Sequence, residues 1–380
     1  MNSHFCKMVG VDFPLVAFSH CRDVVVAVSK AGGFGVLGAG LFTPEQLKIE
    51  LDWIDAHIDG KPYGVDLAVP ENMDIKSETN HTVHSLMSRI PDKHYAFTND
   101  LLDRHGVGPI SADIYRNDDE VGFMYDTAER VMDVAFAHPI RLIVNALGKP
   151  PPSMLERGRA HRVPVGALVG SKGHAIRQIE AGVDLLIAQG TEAAAHCGEV
   201  TTLVLVPEVV AAVSESGRHV PVLAAGGIVT GAQMAAALAM GAEGAWTGSV
   251  WLPTIESELS QPMREKYIAA SSRDTLRSRS FTGKTARLLK TEWTDAWEGS
   301  ESPGILSLPY QSLLSEAVQA QVEKSVAGGN DQGRPLLTYA CGQGVGMLNE
   351  IKSARTVVQE FMEDFARSFE RLCTLVEHSE

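Results

Sequence analysis

Eight short apolar runs recur between residues 14 and 249, and most are followed by a segment of helical period. PLVAF (14–18), FGVLGAG (34–40), YGVDLAV (63–69) and IRLIVNAL (140–147) come first. VPVGALVG (163–170), DLLIAQG (184–190), VPVLAAGG (220–227) and GAWTGS (244–249) follow. Each reads as a short buried strand. Helical spacing takes over at 22–33, 43–60, 127–138, 151–161, 172–182, 206–216 and 231–240, with Thr43 placed as an N-cap and Pro44 at the first helical position. From Glu71 to about Asp113 the chain is polar and has no strong period. Alternating strands and helices demand a parallel sheet, and eight units is the count that closes a (β/α)8 barrel. An open doubly wound sheet has the same alternation, since periodicity does not report closure; the count favours the barrel.

Past residue 253 the rhythm lapses. REKYIAASSRD (264–274), Ser/Thr-rich connections and the helix-like SLLSEAVQAQVEKSVAGG (312–329) occupy the stretch to Gly346. Long segments of this kind serve as lids, with a surface insertion as the plainer alternative. Tyr267, Trp293, Trp297 and Tyr339 either shape a pocket there or fill a core. In the tail, Val358, Phe361, Met362, Phe365, Phe369 and Leu372 share one helical face, suited to the barrel or to a second subunit in a homodimer. The expected organisation is an α/β barrel over 1–253, a smaller, mainly helical lid domain inserted after strand 8 over 254–346, and a C-terminal helix over 347–380 packed on the barrel.

Composition narrows the function. Of the 380 residues, 44% are hydrophobic and 21% charged, ordinary for a globular protein. A net charge of −14 argues against a nucleic-acid partner. No apolar stretch is long enough to span a bilayer, and the N-terminus lacks the pattern of a secretory signal. Five scattered cysteines without a C-x-x-C pair suit a reducing compartment and give no metal framework. The expectation is a cytoplasmic protein without a metal site.

Two motifs mislead. GFGVLG (33–38) matches the dinucleotide fingerprint G-x-G-x-x-G, but a helix precedes it and a strand follows, the reverse of what pyrophosphate binding requires. FTGKT (281–285) resembles the end of a P-loop, yet Ser278 stands where the first glycine belongs.

In a barrel, ligands bind where the strands end, and phosphates favour the loops after strands 7 and 8. There AAGGI (224–228) and TGS (247–249) place Gly226, Gly227, Gly248 and Ser249. Their backbone N–H groups suit an anion, or the glycines serve only tight turns. The loop after strand 6, AQGTEAAAHCGEVTT (188–202), holds Glu192, His196, Cys197 and Glu199 among small residues. His196 is either a proton acceptor or a loop-stabilising histidine bonded to a carbonyl. Cys197 is either a nucleophile or an inert apolar-site thiol.

AQGTEAAAHCGEV, VPVLAAGGI and GAEGAWTGSVWL, with PLVAF…VVVAVSKAGGFGVLGAG, resemble the successive blocks of the nitronate monooxygenase family over about residues 10–70 and 160–255. TGKTAR (282–287) and CGQGVG (341–346) are fainter echoes. The resemblance implies an FMN-binding (β/α)8 barrel that oxidises alkyl nitronates with O2. Carried over by position, it implies that Gly226, Gly227, Gly248 and Ser249 hold the phosphate and that Gln189, Gly190 and Ala194 line the flavin. His196 becomes the base or the anion-positioning residue, and Gln343 and Gly344 close the phosphate side. An NAD(P)H-dependent FMN reductase of enoyl thioesters or quinones, whose family shares these blocks, is the alternative. The chain departs from the family at AFSHCRD, where relatives carry Pro-Met, at Ala194-Ala195 for Gly-Gly, and at Trp246 and Val250 for glutamine and arginine. Asp66 stands near an amide position, where its carboxylate would face the flavin ring.

Overall fold

All eight apolar runs form strands, and the strands close on themselves. The computed structural model describes residues 1, 3–40, 42–69, 83–110 and 125–377. In chain order these begin with α1 (His4–Val9), β1 (Leu15–Ser19), α2 (Arg22–Lys30), β2 (Phe34–Gly38), α3 (Pro44–His57) and β3 (Tyr63–Leu67). Next come α4 (Val83–Met87), α5 (Asp92–Arg104), α6 (Tyr125–Ala137), β4 (Leu142–Asn145), α7 (Pro152–His161), β5 (Val165–Val169), α8 (Lys172–Ala181) and β6 (Leu185–Gln189). Then follow α9 (Thr202–Glu215), β7 (Val222–Ala225), α10 (Gly231–Ala239) and β8 (Gly244–Thr247). After β8 the chain forms α11 (Gln261–Ala269), β9 (Thr275–Ser278), β10 (Ala286–Leu289), α12 (Glu292–Glu298), α13 (Tyr310–Ala327) and α14 (Ala354–Glu377).

β1 to β8 are parallel to their neighbours, and β8 returns to β1 with Leu15 opposite Ala245 and Val16 opposite Trp246. The sheet is therefore a closed barrel, and the open-sheet alternative falls. Alternate positions point inward, so Val16, Phe34, Val36, Leu142, Leu185 and Ile187 fill the interior. The intervening positions, such as Ala17, Leu37, Val65 and Leu186, pack beneath the helices. Both faces are apolar, which is why the strands read as continuous runs.

The helix α1 has no counterpart in the sequence reading. Ser3 caps it, and Phe5 and Val9 enter the interior cluster, plugging the N-terminal end of the barrel. The helix expected at 206–216 starts at Thr202, because the Glu192 carboxylate accepts the Thr202 N–H at 2.9 Å and anchors that end; Pro207 is accommodated inside. α14 lies on α10 and α2, with Phe365 edge-on to Phe13 at 5.9 Å.

A second apolar cluster sits above the strand ends. It combines Tyr267, Trp293, Trp297, Leu314 and Val318 with Ile90, Leu101, Leu102 and Val107 from the segment after β3. That segment reads as aperiodic because two of the four buried positions of α5, His94 and Thr98, are polar. The rest of the aperiodic stretch, 71–82 and 111–113, lies outside the described residues. β9 and β10 pair antiparallel in the same region.

Candidate active site

A cavity of about 320 Å³ opens at the C-terminal ends of the barrel strands, roofed by the segment after β8. Its size is that of a small-molecule site. Of the residues singled out in the sequence, Asp66, Gln189, Ala194, His196, Gly226, Gly227, Gly248, Ser249 and Gly344 line it. Gly190 and Gln343 do not. A Cβ on Gly190 would lie 2.1 Å from the Thr202 hydroxyl, so its glycine serves the packing of α9. Gln343 gives its backbone N–H to the Glu192 carbonyl at 2.9 Å, and its neighbours Gly342 and Gly344 reach the cavity instead.

The strand-7 and strand-8 loops form a shallow backbone cradle. Gly226 and Gly227 have φ of 112° and 68°, the left-handed range that glycine enters freely. A Cβ on Gly248 would meet no protein atom within 4 Å, so nothing in the protein's own packing demands glycine there. The Ser249 hydroxyl accepts the Gly342 N–H at 2.9 Å and ties the cradle to the roof.

His196 stands at the cavity mouth on the strand-6 loop. Its Nε2 lies 2.8 Å from the Thr282 hydroxyl, which itself donates to the Lys284 carbonyl at 3.0 Å. The hydroxyl oxygen is thus left to accept, which assigns the neutral ring's proton to Nε2 and leaves Nδ1 as the acceptor. The ring stays solvent-accessible yet crowded. Partial desolvation, helped by the Lys284 ammonium, holds its pKa below the usual histidine value. In the sequence Thr282 stood only in a P-loop likeness and in the fainter family echo TGKTAR (282–287), neither of which pointed to a partner for His196.

The loop is clasped by the roof. Ala195 and Arg287 exchange backbone hydrogen bonds at 3.1 and 2.8 Å, and Arg287 Nε donates to the Thr191 carbonyl at 2.9 Å. Cys197 points away from the cavity lining, its thiol toward the Thr191 carbonyl at 3.4 Å, and burial pushes its pKa up. The geometry does not prepare it as a nucleophile.

Asp66, on β3, is 4% exposed, and its Oδ1 has no hydrogen-bond partner. Burial raises its pKa well above that of a free carboxyl. A carboxyl at the cavity wall accepts and, when protonated, also donates, and its unpartnered oxygen calls for a polar ligand.

The model of the nitronate monooxygenase family matches residues 11–364. The chain belongs to the nitronate monooxygenase family. The Mycobacterium tuberculosis protein Rv1533, provisionally named a monooxygenase, is 48% identical over 99% of this chain and 100% of its own length. A Staphylococcus aureus protein, provisionally named a nitronate monooxygenase, is 26% identical over 84% of this chain and 86% of its own. Nitroalkane oxidase from Streptomyces ansochromogenes superposes with a TM-score of 0.75 at 23% identity, covering 97% of this chain and 99% of that one. FabK from Thermotoga maritima gives 0.71, also at 23% identity, covering 99% of each chain. These two structures share the barrel fold. Nitronate monooxygenase membership makes the chain an oxidoreductase. No described helix is long and apolar enough to cross a membrane.

Proposed function

We propose that this chain oxidises alkyl nitronates with O2, using FMN held over the C-terminal ends of the strands. The observation that carries the reading is one cavity joining a glycine cradle at the strand-7 and strand-8 loops, an orphaned buried acid and a neutral histidine. The residues present fit FMN. Gly226, Gly227, Gly248 and Ser249 would hold its phosphate, with Gly344 against them, while Gln189, Ala194 and Asp66 would flank its ring. When bound, FMN supplies the two-electron acceptor that O2 regenerates.

The chain's own groups supply position and proton control. His196 Nδ1 removes the proton next to a nitro group, and the imidazolium so formed, now a donor at Nδ1, orients the resulting anion. Thr282 keeps the ring in the tautomer that leaves Nδ1 free. A carbon acid delivered as the neutral nitroalkane depends on this base; one delivered as the nitronate does not. His196→Asn therefore lowers kcat/KM for neutral nitroalkanes by about 10²- to 10⁴-fold. It changes nitronate turnover far less, as oxygen uptake with each form of one substrate will show.

The deciding experiment is an anaerobic visible spectrum of the FMN-loaded protein mixed separately with a nitronate, NADH and NADPH. Bleaching by the nitronate alone supports the oxidase. Rapid bleaching by a nicotinamide transfers the assignment to a reductase, and a protein that takes up no FMN removes both.

A further inference from the structure

Across the cavity from the strand-6 loop lies a second imidazole. His20 follows β1 and lines the cavity beside Phe18 and Trp246. Its Nδ1 is 2.7 Å from the Gly38 carbonyl oxygen. A carbonyl only accepts, so Nδ1 carries the proton and the neutral ring offers Nε2 as a lone pair. Gly38 permits this approach, because a Cβ there would lie 2.8 Å from Nδ1 and 2.6 Å from the Phe18 ring. Crowding by the cavity walls lowers the pKa of His20 despite the Gly38 bond and the nearby Glu258 carboxylate, while the residue keeps an exposed face toward the cavity. The ring is uncharged at neutral pH. Among the described residues, Nε2 has no hydrogen-bond partner.

This wall is built of acceptors and flat apolar surface. Phe18 stacks on Trp246 at 6.0 Å and meets His20 edge-on at 5.2 Å. Glu258 lies on the same lining, and among the described residues no lysine or arginine does. A bare nitronate anion gains nothing from a lone pair and a carboxylate. A flat ring bearing a donor gains from both parts of the wall. Phe18 and His20, from the AFSHCRD stretch, and Trp246 thus converge on one surface.

We propose that His20 selects the substrate: its Nε2 accepts a hydrogen bond from a hydroxyl or amide N–H on a substrate whose flat apolar body lies along Phe18 and Trp246. The assignment rests on the oxidase reading for the reacting group and adds the substrate class, carbon acids of the nitroalkane type with an aromatic ring and a donor remote from the nitro group. His20 is a recognition residue, and no bond forms or breaks at it.

The test uses the FMN-loaded full-length protein and two tertiary nitroalkanes, one ending in a phenol and the other in a phenyl ring. Neither has a hydrogen beside the nitro group, so binding is read from the flavin's visible band without turnover. Wild type is expected to bind the phenol about five- to tenfold more tightly. His20→Phe abolishes that preference, and His20→Gln, whose amide oxygen accepts, restores part of it. Flavin content and melting curves confirm that the variants fold; if His20→Phe fails them, His20→Leu takes its place. Equal or no binding by wild type overturns the proposal, as does a preference that survives in the Phe or Leu variant. A phenol preference without nitronate turnover removes the oxidase reading and keeps His20; turnover without the preference does the reverse.

Discussion

Ala195 has φ of 56°, a left-handed conformation that costs a residue with a Cβ about 1 kcal/mol. The exchange of hydrogen bonds with Arg287 sustains it and sets the direction in which His196 leaves the loop. Ala195→Gly is expected to be tolerated or to gain up to about 1 kcal/mol in denaturant unfolding. Ala195→Val, with a branched Cβ, loses on the order of 1–3 kcal/mol. Asp66 holds a second strain, that of a buried acid. Its folded pKa lies above its unfolded one, so between the two values the native state keeps a proton that the unfolded chain releases. Its contribution to stability therefore falls as pH rises above about 4. Asp66→Asn should raise the melting temperature of the FMN-free protein at pH 7–8, with the gain vanishing near pH 4, by about 1.4 kcal/mol for each unit of the shift. No gain at neutral pH would show that the acid finds compensation in the native state.

Among the elements, β2 shows why a motif misleads. Gly33, Gly35 and Gly38 match a pyrophosphate fingerprint, yet each is demanded by packing. A Cβ on Gly35 would lie 2.4 Å from the Val25 carbonyl oxygen of α2, and one on Gly33 would lie 2.8 Å from the Val28 side chain. Gly35→Ala is expected to cost about 1–3 kcal/mol by forcing α2 off the sheet, while folded protein binds FMN unchanged. A melt and a flavin titration of one sample separate the two effects. The C-terminal helix follows the same logic, since a Cβ on Gly231 would lie 2.1 Å from the Phe361 carbonyl oxygen. α10 and α14 meet backbone to backbone there, a contact invisible in the spacing of apolar residues along α14.

For the whole molecule, the cavity lies between the barrel's strand ends and the roof, so a ligand that bridges them stabilises both. FMN at 100 times its dissociation constant is expected to add about 2.7 kcal/mol, and the melting temperature should climb with concentration. Riboflavin, which lacks the phosphate, should give a markedly smaller shift if the cradle of Gly226, Gly227 and Gly248 holds that group. Equal shifts would remove the phosphate from the cradle. The same barrel leaves its N-terminal end to α1, so the cavity and the plugged end are structurally separate.

The residue pattern alone determined the eight strands, most of the helices between them and the loops where glycines and His196 stand. Those features follow from local periodicity and from turn chemistry, which act over a few residues. Closure was decided by the pairing of Leu15 with Ala245, more than two hundred residues away, and no local period reports such a pairing. The roof's second source, the helix α5, was hidden because half of its buried positions are polar. Thr282 as the partner of His196, and His20 beside Phe18 and Trp246, became chemistry only when distant loops met. Their side chains are ordinary in sequence, and only the tertiary structure brings them to the cavity and its mouth.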